Sequence, residues 1–283
     1  MHAMGAALTE SSPARSSGLH MRNTSPISPS PQIETLLREV GLFSGVDERT
    51  LHLLANIAFR RSLAAGSVAV RQGDTDAALF AVTDGLLQAS VQASDGREIV
   101  LSVMRKGDVF GELSLLDRKV RSATVTALRT TEVVVFPADK LVALMREEPE
   151  LSLRMLVAVV DLVRRLTTRA EELSALAIPA RLAKKLIELA DLCGTSLGSG
   201  HTALPPTLSQ QQLANHIQAT RESVNKSLSA WMKEGILERS ATQLVILNRA
   251  RLATFAQGGG EEHGRTSPRA PDARAVSLER PGD

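Results

Sequence analysis

The stretch FGELSLL at residues 110–116, followed closely by RSATV at residues 121–125, decides how the rest of the chain is interpreted. Gly111 allows the backbone to come close to a ligand, because it has no side chain. The residues after it favour one or two turns of helix, and the free N–H groups at the start of a helix can bind an anion. The pattern therefore indicates a binding site for a negatively charged group.

The chemistry of the neighbouring side chains suggests which group this is. Arg121 supplies a fixed positive charge and a forked set of donors, which suit a phosphate. Ser122 adds a hydroxyl donor beside it. Glu112 is unfavourable next to a phosphate unless it binds another part of the ligand, such as a sugar hydroxyl. Together these residues predict a pocket for a sugar phosphate with a single negative charge. The alternative is a polar surface turn with a chance arginine.

These residues closely resemble the phosphate-binding cassette of cyclic-nucleotide-binding domains. From about residue 33 to 255 the chain resembles the Crp–Fnr family of bacterial transcription regulators. In that family the Gly and Ser amides, the Arg and the following Ser hold the cyclic phosphate, and the Glu accepts the ribose 2′-hydroxyl. The resemblance therefore implies cyclic AMP as effector, with cyclic GMP not excluded. It assigns ligand binding to six cassette residues: Gly111, Glu112, Leu113, Ser114, Arg121 and Ser122.

Length and composition limit the possibilities further. The 283 residues are enough for two domains and tails, and with 2% aromatic residues the cores must be aliphatic. The single cysteine, Cys193, excludes a disulfide within the chain and fits a reducing cytoplasm. It also excludes the four-cysteine iron–sulfur sensor of the Fnr branch. No apolar run approaches the ~18 residues of a membrane span, so we expect a soluble, cytoplasmic protein without a membrane partner.

The expected fold class is α+β, with a cyclic-nucleotide-binding β-roll over residues 32–148. Residues 1–31 are rich in Ser, Pro and Ala and predict a disordered tail, or a misassigned start. Helical patterns follow from Gln32 to Ala58, with Asp47 as the cap of the second helix. Between Phe59 and Phe136, turn signals recur about every eleven residues, which predicts short strands in a jelly roll interrupted by the helical cassette.

Residues 149–178 predict a long helix that forms a homodimer. Pro149 suits its first turn, and apolar residues repeat at alternating steps of three and four, as in a coiled coil. Packing on the protein's own barrel is the alternative, but the apolar stripe is narrow. The resemblance also places Thr167 at a base-contacting position, whereas Leu166 replaces a family Thr and leaves base selectivity open. The predicted seam comprises Leu156, Val159, Val163, Leu166, Ala170, Leu173 and Ala177.

Residues 179–257 predict a winged helix-turn-helix domain that binds double-stranded DNA. Pro179 ends the seam, a helix follows to Leu192, and residues 193–207 are expected to be a loop. Ser209 begins a capping box and Thr220 caps the next helix. This part has nine Lys and Arg against five Asp and Glu, a surplus that suits DNA. The predicted DNA-binding residues are Ser209, Gln210, Thr220, Arg221, Glu222, Asn225 and Lys226.

Three functional classes follow from these features. The first is a homodimeric regulator that binds cyclic AMP and a palindromic operator, with RNA polymerase as a further partner. The second is a similar regulator with another effector or none, which binds DNA constitutively. The third is a cyclic-nucleotide module of a signalling assembly. An enzyme is disfavoured, because the phosphate site lacks a nucleophile and a base, and the His and Cys residues lack metal spacing. Residues 258–283 predict a second disordered tail.

Overall fold

The computed structural model describes residues 31–206, 208–240 and 243–258. The two predicted tails, 1–31 and 258–283, therefore lie almost wholly outside the described residues. Within the described ranges, no helix is both long enough and apolar enough to cross a membrane.

Two helices precede the sheets, as the sequence predicts. Helix α1 spans Pro31–Arg38, a short 3-10 turn spans Gly41–Phe43, and helix α2 spans Glu48–Ile57. The Asp47 carboxylate accepts the backbone N–H of Thr50 at 3.0 Å, which confirms the predicted cap. The apolar faces of both helices are buried against the outside of the β-roll.

The β-roll consists of two four-stranded antiparallel sheets, which confirms the predicted strand-rich domain. Their orders are β1-β8-β3-β6 and β2-β7-β4-β5. The core between them is mainly aliphatic, as the composition requires, with Phe80 stacked on Phe110. The Asp95–Gly96 turn joins β4 to β5, since Gln92 pairs with Glu98. The eight strands are β1 Phe59–Leu63, β2 Val68–Val70, β3 Ala78–Asp84, β4 Leu86–Gln92, β5 Glu98–Arg105, β6 Val109–Phe110, β7 Thr124–Ala127 and β8 Thr131–Pro137.

A six-residue helix, α3 (Glu112–Asp117), interrupts the strands between β6 and β7. It lies where the cassette was predicted to be helical. Helix α4 (Ala138–Glu147) then leads out of the β-roll into the long helix α5 (Pro149–Ala175).

Helix α5 is 27 residues long but ends two residues before the last predicted seam position. Leu176 is extended, and Ala177 is the N-cap of helix α6 (Ile178–Cys193). The prediction that Pro179 ends the seam was therefore wrong in detail. Pro179 lies in the first turn of α6, where its missing N–H costs no hydrogen bond.

The C-terminal domain contains a four-stranded sheet of order β11-β12-β10-β9 beside its helices. The prediction of a loop over residues 193–207 was wrong, because β9 and β10 form a hairpin there and β10 pairs with β12. These strands are only four and three residues long, and β10 depends on a partner distant in sequence. The elements are β9 Thr195–Gly198, β10 His201–Ala203, α7 Gln210–Ile217, α8 Arg221–Lys233, β11 Leu237–Ser240, β12 Gln243–Ile246 and α9 Arg249–Ala256.

Candidate functional site

The cassette begins at a residue that has to be glycine. Gly111 lies between β6 and α3 with φ 91° and ψ 6°, a left-handed conformation. A Cβ atom there would lie 2.4 Å from the carbonyl oxygen of Ala78 and 2.6 Å from Nη1 of Arg121. Both distances are far shorter than a van der Waals contact. The close approach of backbone to arginine therefore depends on the absence of a side chain.

Arg121 is the centre of the cassette and is only 2% exposed. Its Nη2 donates to Asp76 Oδ2 at 3.2 Å and to the Ala78 carbonyl at 3.0 Å. Nε donates to Asp76 Oδ1 at 3.4 Å, and Nη1 donates to the Gly111 carbonyl at 3.3 Å. The guanidinium also lies 5.5 Å from the centre of the Phe80 ring. Arg121, which is predicted to bind the phosphate, is thus held in one orientation, with Asp76 as its counter-ion.

The other predicted cassette residues surround Arg121 to different extents. Burial raises the pKa of the Glu112 carboxyl, while hydrogen bonds from backbone N–H groups and the charges of Arg165 and Arg121 oppose this rise in part. Arg165 belongs to α5, so the charge of the long helix reaches the cassette. Ser114 is 2% exposed, whereas Leu113 and Ser122 are exposed.

Thr167 is exposed on α5, and its hydroxyl donates to the carbonyl of Val163 at 3.0 Å, one turn earlier in the same helix. Its predicted contact with a nucleotide base therefore remains a prediction.

The caps of the helix-turn-helix are formed as predicted. Ser209 Oγ accepts the N–H of Gln212 at 3.1 Å, and Gln212 Oε1 accepts the N–H of Ser209 at 2.7 Å. Thr220 Oγ1 accepts the N–H of Ser223 at 3.2 Å. Between the helices, Gln218 is left-handed with φ 52° and ψ 52°, a conformation that favours glycine. A non-glycine residue costs roughly 1–2 kcal/mol there, which the packed domain absorbs.

Helix α8 presents one apolar and one polar face. Val224 and Leu228 are fully buried, and Trp231 is 2% exposed. The opposite face is exposed and consists of Arg221, Glu222, Asn225 and Lys226.

Side chains from several elements meet at the start of α8. Gln210 Nε2 donates to Asn225 Oδ1 at 2.9 Å, so both helices contribute to one surface. Arg221 lines a groove of about 580 Å³ together with Ser209, Gln210 and Arg239 of strand β11. Arg239 was missed by the sequence analysis, although a cation in a predicted wing was a usable signal.

Arg169 of α5 connects the C-terminal domain to the β-roll. Its Nη1 donates to the carbonyl of Leu101 at 2.9 Å, and its Nη2 donates to the carbonyls of Val100 at 2.6 Å and His216 at 2.8 Å. Beside it, Asn215 Nδ2 donates to Glu98 Oε2 at 3.2 Å. One side chain therefore connects the long helix, strand β5 and helix α7.

Comparison with known proteins agrees with this geometry. The model of the family "Cyclic nucleotide-binding domain" matches residues 60–148, and that of the "Crp-like helix-turn-helix domain" matches residues 180–255. A CRP-like cAMP-activated global transcriptional regulator from Mycobacterium tuberculosis is 28% identical over 225 residues, which cover 80% of this chain and 100% of the relative. The cyclic AMP receptor protein of Thermus thermophilus is 29% identical over 217 residues, or 77% and 97% of the two chains.

Solved structures are similar over the same region. A Crp/Fnr-family regulator from Eubacterium rectale superimposes with a TM-score of 0.66, 19% identity and coverage of 78% of this chain and 99% of its own. The c-di-GMP responsive global regulator CLP of Xanthomonas campestris gives a TM-score of 0.61, 25% identity and coverage of 71% and 99%. The chain belongs to the Crp–Fnr family of transcription regulators, DNA-binding proteins with a cyclic-nucleotide-binding domain and not enzymes.

Proposed function

We propose that this chain is a homodimeric transcription regulator gated by cyclic AMP, which binds a palindromic operator. The observation on which the proposal rests is the orientation of Arg121, buried beside Gly111 in the same chain as a fully capped helix-turn-helix. Two relatives named for cyclic AMP support this choice of effector. As a regulator of transcription, the protein would act in the cytoplasm, where bacterial DNA lies, with RNA polymerase as a further partner.

The choice among effectors depends on the base pocket. Leu166 replaces a residue that the resemblance expects to be Thr, so a polar contact to the base is lost there. The Xanthomonas relative is named for its response to c-di-GMP, which keeps a regulator with another effector as the second candidate. Glu112 is compatible with a cyclic nucleotide, because a carboxylate near Arg121 can accept a hydrogen bond from a ribose hydroxyl while Arg121 binds the phosphate.

The dimer is proposed from the exposed apolar face of α5. Leu156, Val163 and Leu166 are 59%, 56% and 48% exposed. Burial of such large apolar side chains would lower the free energy of the protein. A second copy of the helix would cover them in a parallel coiled coil. This assigns residues 32–148 to nucleotide binding, 149–178 to dimerisation and 179–257 to DNA binding.

We assign sequence readout to the exposed face of α8. Arg221 can bind guanine O6 and N7, and Glu222 can accept from cytosine N4. Asn225 and Lys226 extend the same face by one turn. The two recognition helices of a dimer would read half-sites about 34 Å apart, one turn of duplex. Ser209, Gln210 and Thr220 lie at helix starts, where they would contact the phosphate backbone.

Calorimetry on full-length protein tests the effector and its site together. We expect cyclic AMP to bind more tightly than cyclic GMP or c-di-GMP, and Arg121→Gln to weaken it by about a hundredfold, because no other cassette cation is buried beside the phosphate position. Lys119→Gln, an exposed charge in the same segment, is the matched control and should change affinity by no more than about twofold. Equal affinities in Arg121→Gln and the wild type would exclude the cassette, provided that circular dichroism shows both proteins folded.

A further inference from the structure

A cavity of about 50 Å³ lies where α5, α6 and α7 meet, away from the cassette. Four cationic side chains line it: Arg169, Arg181, Lys184 and Lys185. Two carboxylates, Glu172 and Glu188, also line it, so the lining has two more positive than negative charges. A surplus of positive charge in a partly open cavity favours an anionic occupant.

The carboxylates are already engaged by the two lysines. Lys185 is 7% exposed and donates to both Glu188 oxygens at 2.9 Å, and Lys184 pairs with Glu172. Within the described residues neither arginine pairs directly with a carboxylate, although the charges of Glu188 and Glu172 act on Arg169. Arg181 Nη1 donates to the Ile217 carbonyl at 3.0 Å, but its buried Nε has no hydrogen-bond partner within the described residues.

His216 is the second group without a partner. It is 2% exposed, lines the cavity from α7, and neither ring nitrogen has a partner among the described residues. Burial and the charges of Lys185 and Arg169 lower the pKa of His216 to about 3, so its ring is neutral and offers one N–H donor. Buried polar groups of this kind normally have a partner, because an unsatisfied donor costs free energy.

The size of the cavity limits what that partner can be. One water needs about 10–15 Å³ of such space, so the cavity holds a few waters or one small tetrahedral anion, and a nucleotide does not fit. We propose that the cavity binds a small oxyanion such as phosphate, held by Arg181 Nε, the His216 N–H and the charge of Arg169. The neutral ring donates one hydrogen bond, and the arginines supply the counter-charge.

The position of the cavity gives the anion a consequence. Its lining comes from the long helix and from the first helix of the helix-turn-helix. A ligand that binds only when these elements are together stabilises that arrangement by mass action. Phosphate would therefore stabilise the contact that Arg169 makes with His216 and β5.

The probe is inorganic phosphate, titrated by calorimetry at fixed ionic strength into full-length Arg121→Gln protein. That background removes the cassette cation, so this test does not depend on the proposed function. We expect one phosphate per chain. His216→Leu should weaken binding about tenfold or more, because the buried donor is lost. Without phosphate, the midpoint of thermal unfolding of the His216→Leu variant should not fall, because the substitution removes a buried polar group that has no partner within the described residues.

Two further variants exclude a general electrostatic effect. Glu172→Gln removes a negative charge from the lining and frees Lys184, so it should strengthen phosphate binding several-fold. Arg164→Gln, an exposed charge on the same helix outside the cavity, should leave the affinity unchanged. No binding at about 10 mM phosphate, a concentration that would reveal a millimolar Kd, would overturn the proposal. Phosphate binding that is the same in His216→Leu, Glu172→Gln and the parent protein would also overturn the proposal, because it would reflect only attraction to the charged surface.

Discussion

Arg121 is already paired in the structure, and its partner affects how a phosphate can bind. Asp76 occupies two donors of the guanidinium at 3.2 and 3.4 Å, although its own side chain is 53% exposed. A phosphate beside Arg121 must share these donors or displace the carboxylate. Because Asp76 is about half exposed, solvent partly screens its ion pair with Arg121, and a phosphate can displace the carboxylate at a small free-energy cost. We infer that Asp76 orients Arg121 and also competes with the ligand.

This competition gives a prediction with a definite sign. Asp76→Asn removes the negative charge and keeps the shape, so cyclic AMP affinity should rise about three- to tenfold in calorimetry. Asp74→Asn is the control, since it removes an exposed charge two residues away that does not touch the guanidinium. A weaker affinity in Asp76→Asn would mean that orientation of Arg121 matters more than competition.

The sequence shows the cassette but not Asp76. Gly111 and Arg121 are ten residues apart and form a recognisable local pattern. Asp76 is 45 residues from Arg121, and the two meet only because the start of β3 passes beside α3. The same holds for Arg169, whose partners on β5 are 68 and 69 residues away. Contacts between distant segments depend on packing, and a local pattern does not specify packing.

Helix α5 shows what periodicity can and cannot predict at the scale of an element. The seam from Leu156 to Leu173 lies on one helix as expected, but Ala177 lies beyond its end. The repeat continues in register to Ala177, past the end of the helix at Ala175, so the break in the backbone has no signal in the repeat itself. Similarly, β9 and β10 are too short for alternation to be detected. Strand β10 is stabilised by pairing with β12, and β9 pairs with β10 at the edge of the sheet.

The exposed seam predicts how the protein assembles. Val163→Asp combined with Leu166→Asp would place like charges face to face in an apolar interface. We expect light scattering to give the 30.3 kDa of one chain for this variant and twice that mass for the wild type. Its operator affinity should fall strongly, since one half-site lacks the contacts of two. Thr168→Asp, exposed on α5 outside the seam, should remain a dimer; a dimeric double variant would place the interface elsewhere.

In the whole molecule, α5 connects the two binding sites. The charge of Arg165 reaches Glu112 in the cassette, and Arg169, about one turn further on, holds β5 and α7 together. A ligand that prefers one position of this helix must favour one position of the DNA-binding domain. The contact of Asn215 with Glu98 beside Arg169 depends on the same arrangement. The geometry therefore supports coupling between nucleotide and DNA through a small group of contacts.

Coupling of this kind must be reciprocal. If cyclic AMP tightens operator binding by some factor, operator DNA must tighten cyclic AMP binding by the same factor, typically about 5- to 150-fold. Arg169→Gln should bring that factor towards one, because three bonds to two domains are weakened, while Arg164→Gln on the same helix should preserve it. Titration of the nucleotide with and without a cognate palindrome measures the factor in each protein. If the wild type binds cyclic AMP equally well with and without operator DNA, a constitutive regulator is favoured. If Arg169→Gln keeps the full coupling factor, the signal passes through the dimer interface and not through this contact.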